Sequence, residues 1–406
     1  MKLTKLIPAF GAAGCLAGTL LQAADPVVSN VRASQRSGDK LVDIQYNVAY
    51  AGTNWLAVTV AVSTNGGTTA NVPATHFSGD GSGFWVTPGT NKLIVWDARA
   101  DWDGRYSTNV RFQVTVNEVP AGMVPIPAGS FTMGDSLDGN PSALPLHTVQ
   151  VSAFYMDQYE VTKALWDEVR VWANSNGYDL GTTGLGKATN HPVHTVNWYD
   201  VLKWCNARSE RDGWLPAYYT SAAQATVYRT GSVAVQNDWV RWGAGYRLPT
   251  EAEWEKGARG GASGHRFPWV NTDNITHSLA NYYSDSRDAY DTSPTRSFHP
   301  TFNDGVIPYT SPVGYFAANG NGYGLYDMTG NVSEWTWDLD GSYSSSAQAD
   351  PRGPTSGLYR VFRGGGWFSG RYSGAAPCRS ADRDVSLPTG RIYYRGFRVV
   401  LSPGQQ

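Results

Sequence analysis

NGNGYGLYDMTGNVSEWTW, residues 319–337, gathers glycines, aromatics and oxygen ligands into one short run. Gly322, Gly324 and Gly330 allow sharp turns and left-handed backbone. Tyr323, Tyr326, Trp335 and Trp337 are large enough to anchor such a turn in a core. Asp327 and Glu334 flank Gly330 and Asn331. A chain that curls at the glycines brings both carboxylates, and the carbonyls between them, around one hard cation. The competing reading is a surface loop with solvated acids, and the rest of the chain decides between the two.

Upstream of this run, RLPTEAEWE at 247–255 places Thr250 three residues before Glu253, a capping box that starts a helix. HTVQVSAFYMDQYEV at 147–161 alternates like a strand and leads to Thr162, the N-cap of a helix over 163–172. A second helix is predicted over 199–209, capped near Asn197 or Trp198. His191 and His194 have no third ligand at metal spacing and read as structural. This texture begins at 119–122, VPAG.

Residues 25–118 have a period of two. KLVDIQYNV, NWLAVTVAVST, NKLIVWDA and VRFQVTVNE are separated by turn clusters such as Asn65-Gly66-Gly67. Several short strands at this spacing predict a small all-β sandwich of immunoglobulin or fibronectin type, a spacer or adhesion module. Asp97, Asp101 and Asp103 around Trp96 and Trp102 read as a tryptophan-pinned turn in preference to a cation site. Residues 1–24 read as a signal peptide: Lys2 and Lys5 precede an apolar stretch, and Leu21-Gln22-Ala23 precedes Ala24-Asp25. The chain is therefore expected to be exported, to the periplasm, the cell surface or the medium. The stretch is too short and too interrupted for a permanent membrane span. A lipidated start at Cys15 is the minor reading, since no lipobox aliphatic residue precedes it.

With 406 residues, 41% hydrophobic and 16% charged, the chain suffices for two domains with real cores. A net charge of −2 and the lack of a basic run exclude nucleic acid as an implied partner. Three cysteines, Cys15, Cys205 and Cys378, exclude a disulfide scaffold and a cysteine-rich zinc site.

MVPIPAGSFTMG, FYMDQYEVT, HPVHTVNW, YRLPTEAEWEKGARGG, NGYGLYDMTGNVSEW, RVFRGGGWFSG and YYRGFRVV follow one another from residue 123 to 400. Together they closely resemble the formylglycine-generating enzyme / sulfatase-modifying factor family, over residues 119–406. The resemblance implies an α+β, irregular, C-type-lectin-like fold with bound calcium. One implied calcium site uses Asp327, the Gly330 and Val332 carbonyls and Glu334, which agrees with the cation reading of that run. A second uses Asn281, the Tyr282 carbonyl, Asp304 and the Val306 carbonyl. Glu160 matches a further acidic position.

The resemblance also implies where catalysis would sit, and there this chain departs from it. Formylglycine-generating enzymes hold copper(I) with two cysteines in the segment after Arg363; the matching positions here are Ser369 and Gly374. A hydroxyl and a hydrogen cannot replace two thiolates for a soft ion. Gly366 and Ser333 depart from the family pattern as well. Copper is therefore not expected, and no catalytic residue is assigned. Cys205 and Cys378 read as free and buried, or as a pair outside the family pattern, since the family's pairing partners correspond to Ala258 and Val399.

Other members of the wider family are binding proteins with a variable C-terminal segment. Residues 368–395 are rich in Ser, Gly, Tyr and Arg, a composition that resembles a paratope. Tyr372, Arg371, Arg379, Asp382, Tyr393 and Tyr394 are its candidate ligand contacts. Two functions follow. One is a calcium-stabilised binding or accessory protein with a protein, peptide or glycan ligand. The other is an oxidoreductase that modifies a protein cysteine or small thiol.

Overall fold

A computed structural model of the chain describes residues 25–403, apart from 53, 54, 73, 75, 81–84, 317–319, 370, 372 and 373. The signal-peptide and Cys15 readings lie outside the described residues. Among the described residues no helix is long and apolar enough to cross a membrane.

The alternating segments form the expected sandwich. β1 (Val27–Gln35), β2 (Leu41–Ala49), β3 (Leu56–Ser63), β4 (Phe77–Gly79), β5 (Trp85–Val86), β6 (Gly89–Asp97) and β7 (Arg111–Glu118) are joined by one short helix, α1 (Ala98–Trp102). They make two sheets, ordered β1-β2-β6-β4 and β5-β3-β7. Every second residue of β2 from Val42 to Val48 is buried, and with Leu56, Val58, Ile94 and Trp96 these side chains fill the space between the sheets. The three acids near Trp96 serve the turn, as expected. Asp97 caps α1, Asp101 accepts from Trp96 Nε1 at 2.8 Å, and Asp103 pairs with Lys40.

After a turn at Pro120–Met123 the chain enters an irregular α+β region. Its strands are β8 (Met123–Ile126), β9 (Gly129–Met133), β10 (His147–Val151), β11 (Phe154–Asp157), β12 (Tyr246–Arg247), β13 (Ser333–Leu339), β14 (Gln348–Ala349), β15 (Arg360–Arg363), β16 (Asp384–Ser386), β17 (Arg395–Gly396) and β18 (Val400–Leu401). They form three small sheets, β14-β10-β9, β12-β18-β11-β8 and β16-β15-β13-β17. The strand expected over 147–161 is broken at Ser152 and Ala153 into β10 and β11, which belong to different sheets.

The three helices are α2 (Lys163–Ser175), α3 (Trp198–Arg211) and α4 (Glu251–Arg259), and their caps are those that local spacing dictates. Thr162 Oγ1 accepts from Leu165 N, Asn197 forms a capping box with Asp200, and Thr250 forms one with Glu253. α2 and α3 pack through Trp166 and Trp204, stacked with ring centroids 5.8 Å apart, with Phe397 edge-on to both. Trp337 lies against Trp198, Tyr218 and Trp242. The aromatics therefore do the work that long regular elements do elsewhere. Between α4 and β13 the described chain carries only turns and isolated bridges such as Ser284↔Ser297.

Candidate cation site and the adjoining aromatic face

The 319–337 run curls as its glycines predict. Asp327, Gly330 and Asn331 all adopt positive φ, of 56°, 82° and 60°. Glycine is required at 330, because a Cβ there would stand 2.5 Å from the Asn281 carbonyl oxygen. That close approach lets Asn331 N donate to Asn281 O at 2.8 Å. Asn331 then ties three segments together: its Oδ1 accepts from Ser311 N at 2.9 Å, and its Nδ2 donates to Glu160 Oε2 at 2.6 Å. Glu160 Oε1 accepts from Val332 N at 2.9 Å, which closes the loop.

Glu334 opens β13 and is fully buried. Arg398 grips it with two prongs, Nε to Oε2 at 2.8 Å and Nη2 to Oε1 at 2.7 Å. Trp254 Nε1, from α4, adds a third donor at 2.8 Å. The remaining Arg398 protons go to the carbonyls of Asp157 and Tyr326, at 3.1 and 2.9 Å. Asp327 Oδ2 accepts from Gly314 N at 2.6 Å. Burial pushes its carboxyl up to about 6, although part of the residue reaches solvent. Burial, then Asp327 and Glu334, hold the Glu160 carboxyl well above the usual carboxylate range. Among the described residues Arg398 is the one cation that acts on all three acids.

This set is short of positive charge, the condition that a divalent cation relieves. It is not a ready side-chain cage: among the described residues no three His, Cys, Asp or Glu groups converge to hold a metal. A cation bound here would draw on Asp327 and on main-chain carbonyls such as those of Gly330 and Val332. Glu334, held by Arg398 and Trp254, is better placed to supply charge than a coordinating oxygen.

The other expected ligands are distributed differently. Lys187 Nζ reaches Asp304 Oδ1 at 2.8 Å and the Val306 carbonyl at 3.2 Å, so a lysine ammonium already bridges that half of the set. Asn281 Nδ2 donates to Tyr309 O at 2.8 Å, and the Tyr282 carbonyl meets His277 Nε2 at 3.1 Å. His191 and His194 are structural: each ring nitrogen Nδ1 meets a threonine hydroxyl, that of Thr310 and of Thr195.

Beyond β15 the chain passes Ser369, which lines a small cavity of about 160 Å³ with Gly365, Asp382, Asp384 and Tyr394. Gly374 lies against Asp288, and a Cβ there would come 2.2 Å from Asp288 Oδ2. That same oxygen accepts from Ala375 N and Ala376 N, at 2.7 and 3.2 Å. Ser333 is buried, and its amide donates to Tyr394 O at 2.9 Å. Cys205 and Cys378 are free and buried, as expected, and burial raises both thiols far above their ordinary value.

The chain matches the sulfatase-modifying factor enzyme 1-like domain over residues 110–403. It is 31% identical to the formylglycine-generating enzyme of Thermomonospora curvata, over 70% of this chain and 95% of that protein. It belongs to the sulfatase-modifying factor family. The chaperone protein LppX of Paenibacillus barcinonensis is also similar, 32% identical over 58% of this chain and 77% of its own. Among solved structures, Treponema denticola variable protein 1 aligns with 29% identity and a TM-score of 0.48, over 69% of this chain and 95% of that one. The family match begins inside the sandwich, at the approach to β7, and the remainder of the sandwich lies outside it.

Two of the six ligand contacts expected within this family framework are corrected. Arg379 and Asp382 turn inward and pair with each other at 2.9 Å, with Asp138 also on Arg379 and Asn140 Nδ2 on Asp382. They hold the loop instead of presenting it, although Asp382 also borders the cavity beside Ser369. Tyr372 lies outside the described residues. Arg371 is exposed, with its guanidinium over Phe368, and Tyr393 and Tyr394 stand beside the same ring at centroid distances of 5.5 and 5.3 Å. Phe298 and Tyr309 extend this into a half-exposed aromatic face packed over the buried Trp367. Phe298 and Tyr309 escaped the sequence reading because they come from a loop distant in the chain.

Replacing Arg398 tests how far this centre holds the fold. Arg398→Met leaves Glu334 with one donor and three acids without their shared cation. The expected loss is about 3–5 kcal/mol, seen as a lower urea midpoint. An unchanged midpoint would show that the pair is dispensable.

Proposed function

We propose that this family member is an exported, calcium-stabilised binding or accessory protein that does not generate formylglycine. The observation that carries the reading is the pair of positions 369 and 374. One holds a hydroxyl, and the other is a glycine with no donor atom, set against Asp288 at positive φ. Copper(I) needs soft donors, and the two described thiols are buried, protonated and unpaired with each other. The residues of this chain that remain able to act here bind and orient: the Phe368–Tyr393–Tyr394 face offers flat apolar contact, with Arg371 at its rim. Its occupant is a protein, peptide or glycan segment. The export reading rests on residues 1–24, and the calcium reading on the charge deficit around Asp327.

Calcium bound only by the folded chain stabilises it by about 2.7 kcal/mol at a hundredfold excess over Kd. The pH dependence has a definite sign. Asp327 is protonated more readily in the folded chain than in the unfolded one. In chelated protein its contribution to stability is therefore present at acidic pH and lost as pH rises through about 6. Calcium uses the carboxylate form. The gap in melting temperature between calcium-loaded and chelated protein should then widen from about pH 5 to about pH 7. Asp327→Asn should remove most of that gap, whereas Asp304→Asn should leave most of it. Identical melts with calcium and with chelator would contradict the calcium reading.

The competing oxidoreductase reading makes the opposite prediction about a cysteine peptide. Incubated with the copper(I)-treated protein and oxygen, a sulfatase-type peptide should keep its thiol and its mass. Conversion to the aldehyde, dependent on this protein, would establish the enzyme and end the binding reading.

A further inference from the structure

The smaller sheet of the sandwich ends on an open edge. Its first sheet has four strands and its second three, and the edges of the second are the two-residue β5 and the long β7. β7 pairs with β3 along its whole length, Arg111↔Ser63 through Glu118↔Leu56, and its other edge pairs with no strand among the described residues, although β1 of the facing sheet packs close to it. The next segment in the chain does not fill that place, because Val119 is followed by the turn at Pro120–Met123 and by β8, which pairs with β11.

The consequence is visible on β1, the edge strand of the facing sheet. Gln35 lies opposite Val42 and Ala33 opposite Ile44, so both stand on the inward face defined by the buried side of β2. On a covered strand such positions would be buried. Here Ala33 and Gln35 are exposed, and Val31, which faces the same space, is 38% exposed. Between β1 and the start of β7 lies a groove of about 600 Å³. Trp96, Trp102, Tyr106 and Phe112 give it an aromatic lining, and no residue of the second region borders it. Its charged lining is all of one sign: Lys40, Arg105 and Arg111, with no carboxylate. Asp103 on Lys40 offsets part of that charge from outside the lining.

We propose that this groove takes an extended, acidic segment of a partner polypeptide, which adds to the open edge of β7 where the groove meets it. Main-chain hydrogen bonds to the free edge of β7 would give affinity, and alternate side chains would cover Val31, Ala33 and the aromatic floor. The unpaired cations select an acidic strand over a basic one, chiefly through the rate of encounter. An open edge of this kind otherwise invites pairing with any available chain, so an occupant of defined charge also protects the protein.

The test uses the full chain and a phage-displayed library of random nonapeptides. Enriched peptides should alternate apolar and polar residues and carry net negative charge. Ala33→Trp, at an exposed position, fills the groove without disturbing the core; it should weaken binding at least tenfold while leaving the melting temperature unchanged. Arg105→Glu with Arg111→Glu should do the same for the acidic peptides. Hydrogen exchange should show new protection in residues 111–118 when peptide is bound. Four results would overturn the proposal: no enrichment, enrichment of basic or non-alternating peptides, binding indifferent to Ala33→Trp, or no added protection in β7. A dimer that Ala33→Trp dissociates would place a second copy in the groove and overturn it as well.

Discussion

Glu334 and Arg398 meet where the separate sheets of the second region have to be joined. Glu334 belongs to β13, Arg398 lies between β17 and β18, and the third donor to the carboxylate is Trp254 of α4. The guanidinium also reaches the Asp157 carbonyl on β11. One buried ion pair thus fixes two sheets and a helix, each too short to define its own orientation. A pair of this kind contributes little beyond an apolar substitute of the same shape, but it is costly to break and strict about geometry. The neighbouring Glu160–Asn331 link adds a second constraint, since Asn331 holds its left-handed turn against both Asn281 and Ser311.

The same centre carries the charge deficit on which the calcium proposal rests. Arg398 neutralises Glu334, yet Glu160 and Asp327 remain within its field, and both carboxyls are displaced toward the protonated form. A fold with so little regular secondary structure has few other ways to fix the 327–334 turn. Trp254, buried and bonded to Glu334, keeps water from the pair and strengthens its charge interaction. Stability and the site are one arrangement.

Much of this was legible in the sequence wherever the cause is local. The capping box at Thr250 follows from residues three apart, the cap near Asn197 was legible without its box to Asp200, and the period of two in residues 25–118 specifies a sandwich. The curl at Gly330 was legible for the same reason. Long-range pairing was not. Nothing in GFRVV reveals that Arg398 turns inward to Glu334, because a run buried at every position gives no alternation to read. Arg379 and Asp382 looked like rim contacts for the converse reason: a polar, irregular segment reads as surface, whereas Asp138 and Asn140 lie far away in sequence and draw it inside. Lys187 could not be foreseen on Asp304 either, since the segments that carry them are separate in the chain.

The central claim is that this chain kept the family scaffold and its hard-cation centre while losing the soft-metal one. Elemental analysis of the purified protein tests it most directly, after equilibration with calcium and copper(I) together and removal of the unbound ions. The account predicts stoichiometric calcium that falls away in Asp327→Asn, and copper at background. Stoichiometric copper retained by the wild-type chain, with calcium absent, would contradict it.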